Sequence, residues 1–154
     1  MDTATLLALL LKCAPQVDPG TARALLGVES GLNPHAIGVV GGRLERQPVN
    51  RSEAMATAQA LRDGGWNFSV GLAQINLHNL ERLGLTLRSA FDPCINLAAM
   101  QRILVECFDR AVSAGRQEQP ALRDALSCYY SGDFVTGFRH GYVRRVVHRS
   151  AHPR

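Results

Sequence analysis

The amino-acid sequence predicts a mostly helical α+β domain, with a buried central helix and a small β-hairpin. Apolar residues recur at helical spacing through most of the chain. Two Asp-Pro pairs, Asp18-Pro19 and Asp92-Pro93, mark helix starts, because aspartate caps a helix and proline fits its first turn. Residues 35–49 are the exception, and their short apolar run around two glycines is typical of a hairpin. With 154 residues and no repeat or internal linker, the chain is expected to form one domain over residues 1–154.

Four elements are predicted in the first half of the chain: a helix over Thr3–Cys13, a helix from Asp18-Pro19 to Gly31, a hairpin within residues 35–49 and a helix from Asn50 to Gly64-Gly65. The first helix ends before Ala14-Pro15, because a residue ahead of proline avoids the helical conformation. The third helix has Asn50 and Glu53 at the spacing of a capping box. The hairpin is expected to turn at Gly41-Gly42 and to contain the apolar residues Ile37, Val39, Val40 and Leu44.

Four helices are predicted in the second half: residues 70–79 with a glycine entry, residues 93–114, residues 120–130 and residues 140–150. The second of these is the longest. Its apolar residues cover more than half of its circumference: Cys94, Leu97, Ala98, Leu104, Val105, Phe108, Ala111 and Val112. A helix with so wide an apolar surface is surrounded by others. The domain is therefore expected to be built around this helix, with the hairpin at one side.

The chain carries a formal charge of +4, from 17 basic and 13 acidic residues. This mild excess suits an anionic partner such as a cell-wall polymer, a lipid headgroup or a nucleic acid, without choosing among them. Nucleic-acid binding is not expected, because no aromatic platform is interleaved with the basic residues at the C-terminal end. No metal site is expected, because the five histidines lack ligand spacing.

No segment of the sequence is long enough to span a bilayer. The leucine-rich run at residues 6–11 looks like the core of a signal peptide, but it lacks a basic leader and a small-residue cleavage site. It is expected to belong to an ordinary buried helix. If the protein is exported, its signal is expected to have been removed from this sequence.

Four cysteines are present, Cys13, Cys94, Cys107 and Cys128, and none forms a C-x-x-C pair of the zinc or redox type. An even count permits two disulfides, which would place the protein outside the cytoplasm. Four buried free thiols fit the count equally well. Cys107 and Cys128 flank a helix–loop–helix, which favours pairing them and leaves Cys13 with Cys94, although the sequence does not choose among the three pairings.

One acidic residue interrupts an apolar helix face. On a helical wheel of the second helix, Glu29 falls within the stripe formed by Ala22, Leu25, Leu26, Val28 and Leu32. Loss of water at that position should raise the pKa of its carboxyl group, and the negative end of the helix dipole should raise it further. A neutral carboxylic acid near pH 7 can act as the general acid of glycoside cleavage. The alternative is a glutamate paired with a buried arginine, or one extending from the edge of the stripe.

Four short motifs occur in order between residues 13 and 146. They are Glu-Ser-Gly-Leu-Asn-Pro at residues 29–34, Ser-Val-Gly-Leu-Ala-Gln-Ile-Asn at 69–76, Asp-Pro-Cys-Ile-Asn-Leu at 92–97 and Ser-Cys-Tyr-Tyr-Ser-Gly at 127–132. Their sequences and order resemble those of the soluble lytic transglycosylases, relatives of goose-type lysozyme. Two positions depart from that family: Ala73 stands where it has methionine, and Tyr130 where it has asparagine.

The resemblance implies a lysozyme-like fold and a cofactor-free enzyme that cleaves the β-1,4 bond between N-acetylmuramic acid and N-acetylglucosamine. Glu29 would be the catalytic residue: it protonates the glycosidic oxygen and then accepts a proton from the 6-hydroxyl of the muramyl sugar. That hydroxyl attacks the anomeric carbon, so the product is a 1,6-anhydro end made without water, as in a lyase. The candidate substrate-binding residues are Ser30, Ser69, Gly71, Gln74, Asn76 and Tyr129.

Simpler roles for some of these residues stay open. Ser30 and Ser69 are equally well explained as cap or turn residues, and Tyr129 could pack against the central helix. Most glycosidases use a second carboxylate, but none lies at a catalytic position of the four motifs. Glu45 and Asp92 are expected to be a surface residue of the hairpin and a helix cap.

Several stretches look like one subgroup of the family in particular. Cys13-Ala14-Pro15, residues 36–42, residues 67–76 and Gly141-Tyr142-Val143 resemble the lytic transglycosylases of type IV secretion and conjugation systems. This resemblance implies a periplasmic enzyme that opens peptidoglycan locally for an assembling secretion system, whose components are candidate partners. Two alternatives are a lysozyme-type hydrolase and a catalytically silent peptidoglycan-binding scaffold, the latter left open by Tyr130.

Overall fold

A computed structural model of the chain describes residues 1–153, so Arg154, the last residue of the predicted domain, lies outside the described residues. The elements are α1 Thr3–Cys13, α2 Pro19–Ser30, β1 Ile37–Val39, α3 Arg51–Asp63, β2 Phe68–Val70, β3 Ile75–Asn76, α4 Leu77–Arg82, α5 Leu87–Ala90, α6 Pro93–Ser113, α7 Glu118–Ser131, α8 Thr136–Arg139 and α9 Tyr142–Ala151. The fold is therefore mostly helical with one small antiparallel sheet, which confirms the predicted class. None of the helices within residues 1–153 is both long enough and apolar enough to cross a membrane.

Side-chain caps fix the starts of the predicted helices. Asp18 accepts a hydrogen bond from the Thr21 amide at 2.9 Å and opens α2, and Asp92 opens α6 by accepting from the Ile95 amide at 3.1 Å. Asn50 caps α3 in the same way, although the Glu53 side chain is engaged by Arg46 at 2.7 Å and does not complete the capping box. At the other end of α2, Gly31 adopts a left-handed φ of 63°, which stops the helix just after Glu29.

The predicted central helix is α6, which contacts α1, α5, α7 and β3. Its buried face is formed by Asn96, Leu97, Ala99, Met100, Ile103, Leu104, Cys107 and Ala111. Two positions assigned to the apolar surface by the sequence pattern, Ala98 and Val112, are instead exposed. The helix is thus surrounded on most sides but keeps a narrow solvent-facing edge.

The predicted hairpin within residues 35–49 is wrong in position. β1 pairs with β2, which lies beyond α3, and β2 pairs with β3, giving the strand order β1-β2-β3. The segment that includes Leu44 forms no strand. Instead, the Gln47 side-chain amide bonds to both backbone groups of Ile37, at 2.9 and 3.0 Å. A side chain therefore occupies the edge of β1 where a second backbone strand was expected.

The predicted helix at residues 70–79 is also wrong. This stretch contains the end of β2, a tight turn, β3 and the beginning of α4. Gly71 and Gln74 have φ values of 81° and 51°, which a helix does not tolerate. The short helices α5 and α8 were not predicted, and the last helix begins at Tyr142, after Gly141 at φ 77°, rather than at His140.

All four cysteines are paired. Cys13 is bonded to Cys94, which ties the end of α1 to the start of α6, and Cys107 is bonded to Cys128, which ties α6 to α7. These are the two pairs favoured by the positions of the cysteines relative to the predicted helices. The second pair lies directly beneath the cleft described next.

Candidate active site

Glu29 lies in the last turn of α2 and opens onto a cleft of about 660 Å³. The sheet and α4 form one side of this cleft, and α6 and α7 form the other. Helix α9 packs against α2 and brings Tyr142 and Arg145 towards the Glu29 carboxyl group. The cleft thus collects side chains from most of the predicted motifs around one glutamate.

The Glu29 side chain is partly buried, and burial raises the pKa of its carboxyl group from 4.5 to about 7. Two neighbours oppose the rise, first the Tyr142 hydroxyl and then the positive charge of Arg145. Glu29 takes part in none of the salt bridges within residues 1–153, and the Arg145 guanidinium donates to the His140 carbonyl at 3.1 Å. Glu29 is therefore not held in a salt bridge by a buried arginine, which was the alternative considered from the sequence.

Two tyrosines flank Glu29. The Tyr129 hydroxyl donates to the Ala73 carbonyl at 2.7 Å, so this residue both lines the cleft and anchors the β2–β3 turn to α7. The Tyr142 hydroxyl is buried beside Glu29 without a partner in standard hydrogen-bonding geometry, yet it is near enough to lower the pKa of Glu29. Burial, and next the charge of Glu29, raise the pKa of both phenols well above the ordinary value, so both stay neutral proton donors.

The β2–β3 turn is held from below by Asn96 on α6. Its side-chain oxygen accepts from the Ala73 amide at 2.8 Å, and its nitrogen donates to the Val70 and Ala90 carbonyls at 3.1 and 2.9 Å. A Cβ atom on Gly71 would collide with this amide. The missing side chain of Gly71 therefore makes room for the Asn96 side chain, not for substrate. Asn96 is the asparagine of the third motif, and its structural role is to shape the turn that carries Gln74.

The structure places four of the six candidate binding residues at the cleft. Ser69, Gln74, Asn76 and Tyr129 line it, whereas Ser30 and Gly71 do not. The Ser30 hydroxyl donates to the Leu26 carbonyl at 3.2 Å, within its own helix.

The amides on the sheet side are fixed by internal bonds. The Gln74 side-chain nitrogen donates to the carbonyls of Ala36 and Gly71, at 3.0 and 2.9 Å. The Asn76 nitrogen donates to the Asn67 side chain at 2.9 Å and to the Ser69 hydroxyl at 3.3 Å. Their orientation is therefore set before any ligand arrives, which reduces the entropy lost on binding.

Neither of the two acids discounted from the sequence lies in the cleft. Glu45 is exposed, and Asp92 caps α6. No sequence motif singles out Glu106, which does line the cleft. Its two carboxylate oxygens are engaged by Arg82 at 2.8 Å and by Arg102 at 3.3 Å.

Three further residues of the cleft region had no assigned role in the sequence. Tyr130, at the position where the resembled family has asparagine, donates to or accepts from His140 Nδ1 at 3.0 Å and stacks on Tyr142 with ring centroids 4.6 Å apart. Arg110 lines the cleft from α6. Tyr142 could have been found from its pattern, because it shares a buried helix face with Val143 and Val146, and a buried phenol needs a partner.

Comparison with known proteins finds one matching family and several similar proteins. The family profile described as "Transglycosylase SLT domain" matches residues 9–144. The chain is 54% identical over 147 residues to the "Type IV secretion system protein virB1" of Brucella abortus biovar 1, an alignment that covers 92% of this chain and 62% of that protein. The protein of the same name from Brucella suis biovar 1 gives the same 54% identity.

A more distant relative is the "Protein virB1" of Agrobacterium fabrum, which is 37% identical over 137 residues, covering 88% of this chain and 55% of that protein. The chain therefore spans less than two thirds of the length of these relatives. No solved structure is significantly similar to it.

Proposed function

The chain belongs to the transglycosylase SLT domain family, and from that premise we propose that it is a lytic transglycosylase of peptidoglycan. The bond cleaved is the β-1,4 link between N-acetylmuramic acid and N-acetylglucosamine. The observation that carries the proposal is one carboxyl group, that of Glu29, which has a pKa of about 7 and opens onto a cleft large enough for a sugar chain. Such a group is protonated often enough near neutral pH to act as an acid, and weak enough as an acid to act next as a base.

Glu29 serves in both steps of the reaction. It first gives its proton to the bridging oxygen, which leaves as the 4-hydroxyl of N-acetylglucosamine as the bond to the muramyl anomeric carbon breaks. The acetamido group of the muramyl sugar supports the positive charge that develops on that carbon. The ionised Glu29 then takes the proton of the muramyl 6-hydroxyl, whose oxygen bonds to the anomeric carbon and closes a 1,6-anhydro ring. No water is consumed.

The neighbours of Glu29 suit a carboxyl group that is first neutral and then ionised during the reaction. Tyr142 and Arg145 both favour the ionised carboxylate, so they stabilise it after it has given up its proton. Tyr129 holds the β2–β3 turn against α7 and keeps Gln74 and Ser69 facing the substrate. Ser69, Gln74 and Asn76 would contact the sugars from the sheet side.

A lysozyme-type hydrolase is the second candidate, and Glu106 is the observation that favours it. A hydrolase uses a second carboxylate as a base for water or as a nucleophile. Glu106 lines the same cleft, but its oxygens are neutralised by Arg82 and Arg102. Both oxygens are thus already engaged by arginines, which favours the transglycosylase.

Product analysis tests both candidates. Purified protein is incubated with peptidoglycan sacculi, and the soluble muropeptides are identified by mass spectrometry. We expect anhydro-muramyl ends, which lack one water relative to reducing ends. Glu29→Gln should abolish release, while Glu45→Gln, a matched loss of an exposed carboxylate, should leave it unchanged. Reducing ends that disappear in Glu106→Gln would establish the hydrolase instead, and no release by the unmodified protein would point to a silent scaffold.

We also propose that the enzyme acts in the periplasm and opens the wall for a type IV secretion system. The two disulfides support an oxidising compartment, because disulfides persist there and are rare in the cytoplasm. The names of the Brucella relatives support the secretion system, whose components are then candidate partners. Thiol titration of the denatured, unreduced protein isolated from whole cells should find no free thiol. Four free thiols would contradict the periplasmic location.

Complementation tests the link to secretion. The chain, fused to an export signal, is expressed in a Brucella strain that lacks its virB1 protein. Restored secretion by the unmodified chain, with no restoration by Glu29→Gln, is the expected result. Equal restoration by both would show that cleavage is not the contribution of this domain.

A further inference from the structure

Helix α6 lines one side of the cleft with one of its faces. Its lining residues are Ile103, Glu106, Cys107 and Arg110, spaced so that they follow a single helix surface. Arg110 lies one helical turn beyond Glu106, and its side chain is exposed. It therefore stands at the rim of the cleft, where a group attached to the sugar chain would pass into solvent.

The guanidinium of Arg110 is held in place but not neutralised. One of its nitrogens donates to Cys128 Sγ at 3.4 Å, and its central carbon lies 5.4 Å from the centroid of the Phe134 ring. Arg110 forms no salt bridge among the residues that the structure describes. Both contacts are with uncharged groups, and a cation above a ring face keeps its edge N–H groups free to donate.

The remaining formal charges of the cleft cancel. Arg82 and Glu106 neutralise each other at 2.8 Å, and Glu29 is uncharged when it is ready to act as an acid. The Arg110 charge is then left uncompensated among the lining residues. A fixed, unpaired guanidinium is a strong binder of carboxylates, which it can grip with two parallel hydrogen bonds.

We propose that Arg110 binds a carboxylate of the peptide stem that N-acetylmuramic acid carries in peptidoglycan. This inference rests on the proposed function and adds a specificity to it: the enzyme should prefer glycan strands that bear stems over strands that have been stripped of them. Removal of the stem frees another carboxylate, that of the lactyl group next to the sugar ring, which is an amide while the stem is attached. The exposed position of Arg110 at the rim favours the stem carboxylates, which lie farther from the ring.

Two substitutions separate charge from packing. Arg110→Met keeps a long apolar side chain against Phe134 but removes the charge. Arg110→Lys keeps the charge but loses the planar guanidinium that can donate two parallel hydrogen bonds. Arg123→Met is the matched control, because Arg123 is an exposed arginine of α7 that does not line this cleft. Thermal midpoints show whether each variant is as stable as the unmodified protein.

Binding is measured with each substitution placed in the inactive Glu29→Gln protein, so the result does not depend on cleavage. The probes are soluble glycan strands with intact stems and the same strands after amidase treatment. We expect Arg110→Met to weaken binding of stem-bearing strands about fivefold, as for one charge-assisted contact at a partly exposed site, and to leave binding of stripped strands unchanged. Arg110→Lys should lie between, and Arg123→Met should match its parent on both probes.

Three outcomes would overturn the proposal. Equal weakening on both probes would mean that Arg110 only supports the structure. A larger loss on stripped strands would assign it to the lactyl carboxylate, and no loss on either would remove it from binding. Cleavage by the active protein is scored separately: absence of anhydro products with stem-dependent binding intact would defeat the proposed function alone.

Discussion

Replacing Glu29 with glutamine should make the protein more stable at alkaline pH. The folded pKa of about 7 exceeds the ordinary value of 4.5, and burial is the main cause of the difference. A pKa difference of this size corresponds to about 3 kcal/mol of the free energy of unfolding. Below pH 4.5 the carboxyl group is protonated in both states and its full stabilising contribution is present. That contribution is lost as the pH rises through about 7, because the unfolded chain then gains more from ionisation.

Glutamine carries no charge at any pH, so the stability of the variant does not fall in this way as the pH rises. Urea denaturation of both proteins at pH 4.5 and at pH 8.5 measures the effect. We expect similar free energies of unfolding at pH 4.5 and an advantage of about 3 kcal/mol for Glu29→Gln at pH 8.5. Glu45→Gln, which removes an exposed carboxylate, should show no such change with pH. An identical difference between Glu29→Gln and the unmodified protein at both pH values would refute the argument that burial sets this pKa.

Three further measurements test the site and its support. The kcat/KM for anhydro-muropeptide release should fall about tenfold per pH unit above 7, because the acid form of Glu29 is then lost. Tyr142→Phe should move this fall to higher pH, since the Tyr142 hydroxyl lowers the pKa of Glu29, and should cost little stability because that buried hydroxyl lacks a partner in standard geometry. Replacing both Cys13 and Cys94 with serine opens a link across 81 residues and should lower the free energy of unfolding by about 4 kcal/mol, as judged from urea midpoints.

The helices could be predicted because their signals are local. Asp18 and Asp92 each stand immediately before a proline, and each caps its helix within four residues of chain. The position of Glu29 inside an apolar stripe is local in the same sense, and so its burial followed from the wheel. Residues three or four apart in sequence are enough to predict these features, because the backbone hydrogen bonds of a helix have no distant partners.

The sheet and the turn could not be predicted because their partners are remote. β1 pairs with a strand about thirty residues downstream, and its free edge is filled by the side chain of Gln47. The turn after β2 keeps its shape because Asn96, a residue of another helix, bonds to Ala73 and Val70. Without knowledge of these long-range hydrogen bonds, the apolar, glycine-containing segment at residues 70–79 fits a short helix as well as it fits a strand and a turn.

The same distinction explains which cleft residues escaped notice. Glu106 and Arg110 occupy positions of α6 that a sequence pattern assigns to solvent, and only the packing of α4 and α7 turns that surface into a cleft. Their chemistry differs because Arg82 pairs with Glu106, whereas no carboxylate of the described residues forms a salt bridge with Arg110. One side chain is thereby neutralised and the other left charged, which is why the carboxylate is a weak candidate for a second base and the guanidinium a strong one for binding.

A single carboxyl group can serve as acid and base only if its surroundings favour neither form strongly. Burial alone would hold Glu29 protonated and make it a poor base after bond cleavage, whereas a salt bridge would hold it ionised and remove the acid. The fold avoids both extremes. Burial is the larger influence, and it is partly offset by a neutral phenol, Tyr142, and by the charge of Arg145, whose guanidinium is tied to the His140 carbonyl. Because both side chains belong to α9, the packing of α9 on α2 sets the balance, and changes at that helix pair should alter the pH range of activity before they alter the cleft.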